Sequence, residues 1–246
     1  MTTSTSGAPE TAADSYPPTA EFAAQANATS DLYAEAEQDR LAFWAKQARR
    51  LHWHTPFTEV LDWSDAPVAK WFADGKLNVA YNCVDRHVLD GYGDQVAIAW
   101  EGEPGDSRDV TYSDLLAEVS QAANTLTDLG LVPGDRVAIY MPMIPEAIVS
   151  ILACARLGLT HSVVFAGFSA TALRSRVDDA EAKLVITTDG QWRRGKAAPI
   201  KDTVDQAVDG AGSIEHVLVV KRTDSEVSWT DGRDLWWHDT VAQASK

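Results

Sequence analysis

The densest group of residues able to do chemistry is a cluster of cations, Arg193, Arg194 and Lys196, in a chain whose formal net charge is −15. Gly195 interrupts the cluster. Arginine can pair with a phosphate through two parallel N–H bonds, whereas lysine supplies a compact positive charge. Composition alone leaves two interpretations: a solvated loop, or a loop that binds the phosphates of an anionic ligand.

A second stretch of interest, Phe165-Ala166-Gly167-Phe168-Ser169, follows a predicted strand. Gly167 allows a ligand to approach the backbone closely, and Ser169 can cap a helix whose N-terminus attracts anions. By themselves these residues are explained as well by the simple end of a strand. Ligands of open α/β sheets bind beyond the carboxyl ends of the strands. Strands consecutive in sequence are often neighbours in the sheet. We therefore expect this stretch and the cationic cluster to lie together at the carboxyl ends of the strands, on one rim of the sheet.

No set of residues predicts catalysis by a side chain. The sequence contains no Gly-x-Ser-x-Gly elbow, no Cys–His pairing and no Gly-x-Gly-x-x-Gly motif. Residues 3–7 superficially look like a phosphate-binding loop, but they follow no strand and precede no helix. His52 and His54 could share a strand face, yet no cysteine or carboxylate stands at a suitable spacing to complete a metal site. We therefore predict no catalytic residue and no metal site in this chain.

The predicted elements place both stretches at the ends of strands. A β-branched run at 137–140, Pro145 at a helix start, Gly158 at its end and an apolar run at 163–165 make a βαβ unit, which implies a parallel sheet. The alternation predicts an α/β fold with a doubly wound, mostly parallel sheet. The other predicted elements are an antiparallel pair at 96–100 and 109–111, helices at 111–129, 169–179 and 199–208, and strands at 184–187 and 216–220.

Composition divides the chain into three parts. Residues 1–30 are rich in Thr, Ser, Ala, Pro and Gly and are predicted to form a disordered tail. Residues 31–90 are predicted to form an N-terminal arm: a helix capped by Asp31 that runs to about Arg50, then an irregular, Trp-rich stretch. Residues 91–246 contain the predicted sheet domain.

Composition also bounds the partners and the compartment. The acidic balance argues against nucleic-acid and anionic-membrane partners. The two cysteines, Cys83 and Cys154, suggest no disulfide framework, which fits a reducing cytoplasm. No apolar run reaches the ~18 residues of a membrane span, and the N-terminus lacks the basic and apolar regions of a signal peptide. We expect a cytoplasmic protein.

Beyond these patterns, several motifs resemble those of AMP-forming acetyl-CoA synthetases and, more widely, of the adenylate-forming superfamily. The resemblance covers about residues 31 to 246. The motifs are Trp71-Phe72-Ala73-Asp74-Gly75-Lys76-Leu77-Asn78, Asn82-Cys83-Val84-Asp85-Arg86-His87, Thr111-Tyr112-x-x-Leu115, Leu129-Gly130, Gly134-Asp135-Arg136-Val137, Val163-Val164-Phe165-Ala166-Gly167-Phe168-Ser169 and Gly232-Arg233-Asp234-Leu235-Trp236-Trp237-His238-Asp239.

The resemblance implies a fold, a reaction and a set of ligands. The fold is the first sheet subdomain of the adenylate-forming N-domain. In the reaction, acetate and Mg-ATP give acetyl-adenylate and pyrophosphate, and the thiol of CoA then attacks to give acetyl-CoA and AMP. The cationic cluster would bind the nucleotide end of CoA, and the Phe165-Ala166-Gly167 stretch would lie near its adenine. The residues implied to bind CoA are Arg193, Arg194, Gly195, Lys196, Phe165, Ala166 and Gly167.

This sequence departs from the family pattern in small and large ways. Ala166 stands where relatives often have Gly, and Lys196 stands where some have Arg, so one bidentate fork is replaced by a point charge. The Ser/Thr/Gly-rich loop ending in Lys-Gly, the adenine-binding and Thr-Glu motifs, the hinge Asp and the C-terminal Lys have no counterpart in the 246 residues.

We therefore expect an N-terminal portion that is inactive alone, with the ATP and Mg²⁺ sites outside it. Two alternatives stay open. One is a portion of a propionyl-CoA or other short-chain acyl-CoA synthetase, and the other is a non-catalytic domain that binds CoA or a partner.

Overall fold

The computed structural model describes residues 16–246, which form two compact units. The first unit contains the described residues up to Leu51 together with Phe57–Ala73, and the second contains His52–Pro56 together with Asp74–Lys246. Residues 74–90, which composition groups with the N-terminal arm, thus belong to the same unit as the sheet.

The first unit consists of three short helices and one small strand pair. They are α1 (Ala20–Ala24), α2 (Ser30–Gln38), α3 (Arg40–Ala48) and the antiparallel strands β1 (Leu61–Asp62) and β2 (Lys70–Trp71). The disordered tail predicted for residues 1–30 stays a prediction. Residues 1–15 lie outside the described part, and α1 contains no buried residue.

Two helices stand where the sequence predicted one from Asp31 to about Arg50. Asp39 divides them: its backbone is extended, with φ −152°, and its carboxylate accepts a hydrogen bond from the amide of Ala42 over 2.9 Å. The cap of α2 is Thr29 rather than Asp31, because the Thr29 hydroxyl accepts from the N–H of Asp31. Short polar side chains compete with the helix for backbone donors, which explains the break at Asp39.

The second unit alternates strand and helix after two π-helical turns at Tyr81–Asp85 and Val88–Tyr92. Every element predicted between residues 96 and 220 is present, within three residues of its predicted ends. In chain order the elements are β3 (Val96–Glu101), β4 (Ser107–Thr111), α4 (Tyr112–Asp128), β5 (Arg136–Met141), α5 (Pro145–Leu157), β6 (Thr160–Phe165), α6 (Ala170–Ala180), β7 (Leu184–Thr188), β8 (Gly190–Arg193), β9 (Lys196–Pro199), α7 (Lys201–Val208), β10 (His216–Val220), β11 (Asp234–Trp236) and α8 (Trp237–Thr240).

Five of these strands form one parallel sheet in the order β11-β10-β7-β5-β6. Side chains alternate along β5: Ile139 packs on one face with α4 and α5, and Tyr140 packs on the other with α6 and α7. This confirms the predicted doubly wound, parallel α/β sheet. The chain places β6 on one side of β5 and β7 on the other, so a topological switch point lies at the carboxyl end of β5.

Two strand features of the second unit were not predicted. Residues 190–199 form the antiparallel hairpin β8–β9 rather than an irregular loop. The polar stretch after residue 220 adds a fifth parallel strand, β11, in which Leu235 lies opposite Leu218 of β10. Both elements are three or four residues long, too short for a periodic pattern to identify. Among the described residues, no helix has the length and apolar character needed to cross a bilayer.

Candidate functional site

The cationic cluster forms the tip of the β8–β9 hairpin. Arg193 lies opposite Lys196, and the turn between them consists of Arg194 and Gly195. These two residues have φ values of 54° and 73°, the left-handed region that a two-residue hairpin turn requires. Glycine adopts such a φ without strain, which accounts for Gly195. All three cationic residues are exposed, so the tip can pair with an anion from solvent.

The second stretch forms a tight turn at the end of β6. The N–H of Phe168 donates to the carbonyl of Phe165 over 3.0 Å, and the two rings lie edge to face with centroids 6.0 Å apart. Phe168 is 42% exposed and Phe165 is 63% exposed. The guanidinium of Arg176 lies 4.9 Å over the Phe168 ring. The turn therefore presents aromatic surface and a cation to the solvent.

A buried tyrosine of β5 holds this turn from beneath. The hydroxyl of Tyr140 donates to the carbonyl of Phe168 over 2.6 Å and lies 3.3 Å from the carbonyl of Ala166. Burial raises the pKa of Tyr140, so the hydroxyl keeps the proton that it donates. The sequence identifies Tyr140 only as a strand residue, because an apolar run gives no signal for the role of the one hydroxyl that it contains.

The structure brings the hairpin and the turn together. The side-chain amide of Gln191 donates to the carbonyl of Ala166 over 3.2 Å. Arg193 lies over Gly167: a Cβ added to this glycine would be 3.1 Å from Nη1 of Arg193. The expected rim is therefore present, but the expectation that β6 and β7 are neighbours is wrong, because β5 lies between them. The hairpin, which follows β7, extends past β5 to reach the turn at the end of β6.

An acidic side chain accepts a hydrogen bond from a backbone N–H at the hairpin tip. The N–H of Gly195 donates to Oε1 of Glu103 over 2.5 Å. Glu103 belongs to the turn between β3 and β4. Asp106, in the same turn, forms an ion pair with Arg222 at 2.8 Å, which also stabilises the position of the turn. A carboxylate oxygen at Gly195 shows that this position suits an anionic oxygen.

Other chemistry-bearing residues lie elsewhere in the second unit. Burial raises the pKa of the Cys154 thiol to about 12, so this cysteine is not a nucleophile. Within residues 16–246, no group of three His, Cys, Asp or Glu side chains could hold a metal ion. His52 and His54 line a separate cleft of about 320 Å³, together with Asn78, Tyr81, Asp85 and Arg156.

The rim formed by hairpin and turn is thus equipped for binding rather than for proton or group transfer. It combines exposed cations, a backbone N–H that donates to a carboxylate oxygen, and two exposed aromatic rings beside a glycine. Such a surface suits a ligand that carries phosphates and a planar ring system.

Comparison with known proteins matches most of the chain to two families. The family described as AMP-binding enzyme matches residues 85–245, and the family described as acetyl-coenzyme A synthetase N-terminus matches residues 29–83.

Curated relatives agree with these matches. Proteins named acetyl-coenzyme A synthetase are 73% identical over 231 residues in Mycolicibacterium smegmatis, 68% over 234 residues in Mycobacterium tuberculosis and 61% over 226 residues in Streptomyces coelicolor. These alignments cover 94%, 94% and 92% of this chain, but 25%, 36% and 35% of the relatives. The chain therefore spans about a quarter to a third of the length of the curated relatives that it matches.

Proposed function

This chain belongs to the family of AMP-binding enzymes, and from that premise we propose that it is the N-terminal part of an AMP-forming acetate–CoA ligase. The complete enzyme activates acetate with Mg-ATP to give acetyl-adenylate and pyrophosphate, and transfers the acetyl group to the thiol of CoA. ATP and Mg²⁺ bind outside these 246 residues, which supply no catalytic side chain. The names of the relatives and their identities of 61–73% support this assignment.

One observation carries the role of this part: the hairpin tip and the Gly167 turn meet beside a topological switch point of a parallel sheet. We assign this rim to the nucleotide end of CoA. Arg193 and Lys196 face the phosphates, and Arg194 and Gly195 form the turn that exposes them. The adenine lies against the turn of Phe165, Ala166 and Gly167, whose exposed Phe165 ring can stack on a planar ring.

The remaining proposals concern the surroundings of the enzyme. The partners are the small molecules acetate, ATP and CoA, and neither nucleic acid nor a membrane is expected for a chain of net charge −15. Both cysteines are free, which supports a reducing cytoplasm.

The test compares the complete gene product with the 246-residue chain. Acetate-dependent exchange of pyrophosphate into ATP reports acetyl-adenylate formation, and release of acetyl-CoA reports the second step. We expect both activities in the complete protein, with acetate used better than propionate, and neither in the 246-residue chain. Exchange by the short chain would contradict the placement of ATP outside it. Preference for propionate would change the substrate, and absence of both activities from the complete protein would refute the ligase.

A further inference from the structure

The carboxylate of Asp189 lies buried at the root of the hairpin, directly after β7. Its residue is 0% exposed. Oδ1 accepts hydrogen bonds from the backbone amides of Gly190 and Arg222, both over 2.7 Å, and from Thr223 over 3.1 Å. Oδ2 accepts from the amides of Thr223 and Ser225 over 3.2 and 3.1 Å. The carboxylate thus collects four backbone N–H groups, which can offset the cost of burying its charge.

The backbone of Asp189 also forms hydrogen bonds at this junction between β7, the hairpin and the loop after β10. Its N–H donates to the carbonyl of Val220 at the end of β10 over 3.0 Å. Its carbonyl accepts from the amides of Ile200 and Lys201, where the chain leaves the hairpin, over 3.2 and 3.3 Å. Both ends of the hairpin and the loop after β10 are therefore fixed to one residue.

The junction is also closely packed. A Cβ added to Gly190 would lie 2.3 Å from Oγ1 of Thr223 and 3.0 Å from the carbonyl oxygen of Ala198 in β9. The first residue of the hairpin is thus clamped between its partner strand and the loop that Asp189 binds. The direction in which the hairpin leaves the sheet follows from this clamp.

We propose that Asp189 is a positioning residue for CoA, which sets the direction of the hairpin so that Arg193 lies over Gly167. This inference rests on the proposed function of the rim. Each arm of the hairpin has four residues and a length of ~13 Å, so a tilt of about 10° at its root moves the tip by about 2 Å. Such a shift is enough to break a bidentate contact between a guanidinium and a phosphate.

Asparagine is the sharpest replacement because it keeps the size of the side chain. Its NH₂ group is a donor only, and at this site it would face backbone N–H groups that need acceptors. Asp189→Asn in the complete enzyme should raise the apparent KM for CoA about tenfold. Acetate-dependent ATP–pyrophosphate exchange should stay within about twofold of wild type, because CoA takes no part in it. The matched control is Asp224→Asn, which removes the same charge from an exposed position in the adjoining loop and should leave both quantities unchanged.

A second variant covers the case in which Asp189→Asn does not fold. Gly190→Ala leaves the carboxylate in place but pushes the hairpin away from Thr223, and it should also raise the KM for CoA while sparing exchange. An unchanged KM in both variants would overturn the inference, as would an equal loss of exchange and CoA-dependent turnover, which a purely structural role produces. Arg193→Ala distinguishes a failure of the positioning role of Asp189 from a failure of the proposed CoA site. If Arg193→Ala raises the KM and the Asp189 and Gly190 variants do not, only the positioning role is wrong; if Arg193→Ala has no effect either, the CoA site is wrong.

Discussion

Gln191 donates its side-chain amide to the carbonyl of Ala166 over 3.2 Å, and this hydrogen bond joins the segments that follow β7 and β6, two strands that are not neighbours in the sheet. Gln191 belongs to β8, and Ala166 follows β6, on the far side of β5. The bond keeps the backbone of the Gly167 turn beside the hairpin. The shape of the rim therefore depends on the hairpin as much as on the sheet.

A first prediction concerns the space above Gly167. A Cβ at this position would lie 2.4 Å from a ring carbon of Phe165 and 3.1 Å from Nη1 of Arg193, so both side chains must move. In the complete enzyme, Gly167→Ala should raise the apparent KM for CoA about fivefold, or about 1 kcal/mol. ATP–pyrophosphate exchange should not change. Gly212→Ala, whose added Cβ would meet open space, is the control. A normal KM for CoA in Gly167→Ala would show that no ligand approaches this glycine.

A second prediction concerns the hydroxyl of Tyr140. Tyr140→Phe removes a buried donor and leaves the carbonyl of Phe168 without it, which should lower the free energy of unfolding by about 1–2 kcal/mol. Urea unfolding of the 246-residue chain measures this directly. Tyr33→Phe removes the same group from an exposed side chain and should change the free energy by less than about 0.5 kcal/mol. Equal effects of the two variants would mean that the Tyr140 bond contributes nothing to the turn.

The fall in the free energy of unfolding at low pH tests the buried ion pairs of Asp234. Burial opposes its charged form, but hydrogen bonds from Arg233, Lys201 and the Thr230 amide outweigh burial, so the net pKa of Asp234 is lower than its ordinary value of 3.8. The unfolded chain therefore takes up this proton first as the pH falls. The stabilisation by Asp234 is complete above pH 3.8 and is lost as the pH falls through the lower pKa of the folded state.

Asp234→Asn should accordingly cost about 3 kcal/mol at pH 7, because Lys201 and Arg233 lose the fully buried carboxylate and keep only the part-buried Asp205 as an ion-pair partner. The cost should shrink as the pH falls below 3.8. Chemical unfolding of the 246-residue chain across this range gives both values. Asp224→Asn, at an exposed ion pair, should cost at most about 1 kcal/mol. A cost that does not change with pH would exclude the charge of Asp234 as its source.

The edge strand β6 leads to a prediction about association. Val163 and Phe165 are 58% and 63% exposed on β6, which pairs only with β5 at the edge of the sheet, and Met143 is 76% exposed. Exposed apolar residues on a sheet edge favour association, so the 246-residue chain should self-associate at micromolar concentration. Val163→Lys should shift it towards the monomer in sedimentation velocity, whereas Thr160→Lys, at the exposed start of the same strand, should have a smaller effect. A wild-type chain that stays monomeric would show that this unit is closed without a further segment.

The elements that could be predicted from the sequence are those with a strong local signal. The capping box of Thr111 and Asp114, Pro145 at the start of α5 and Gly158 at its end each fix a backbone conformation within a few residues. These signals act within one turn of helix, so no knowledge of the rest of the fold is needed to interpret them.

The arrangement of the site depended on contacts that local signals do not contain. The order of β5, β6 and β7 is set by which helix covers which face, and each of these strands is compatible with either side. Asp189 precedes a glycine and has the composition of a turn, although its carboxylate is buried by amides more than thirty residues away. The cationic cluster could be found from composition, but its position over Gly167 could not.

The central claim is that the rim of hairpin and turn binds the nucleotide end of CoA, and Arg193→Ala tests it most directly. In the complete enzyme, loss of the guanidinium should weaken CoA binding by about 1.5–3 kcal/mol, seen as a higher apparent KM for CoA. Acetate-dependent ATP–pyrophosphate exchange, measured on the same preparation, should stay at the wild-type rate. Arg40→Ala removes an equal charge from the first unit and should alter neither value. Loss of exchange in Arg193→Ala with an unchanged KM for CoA would contradict the account, because the hairpin would then serve adenylation or folding rather than CoA.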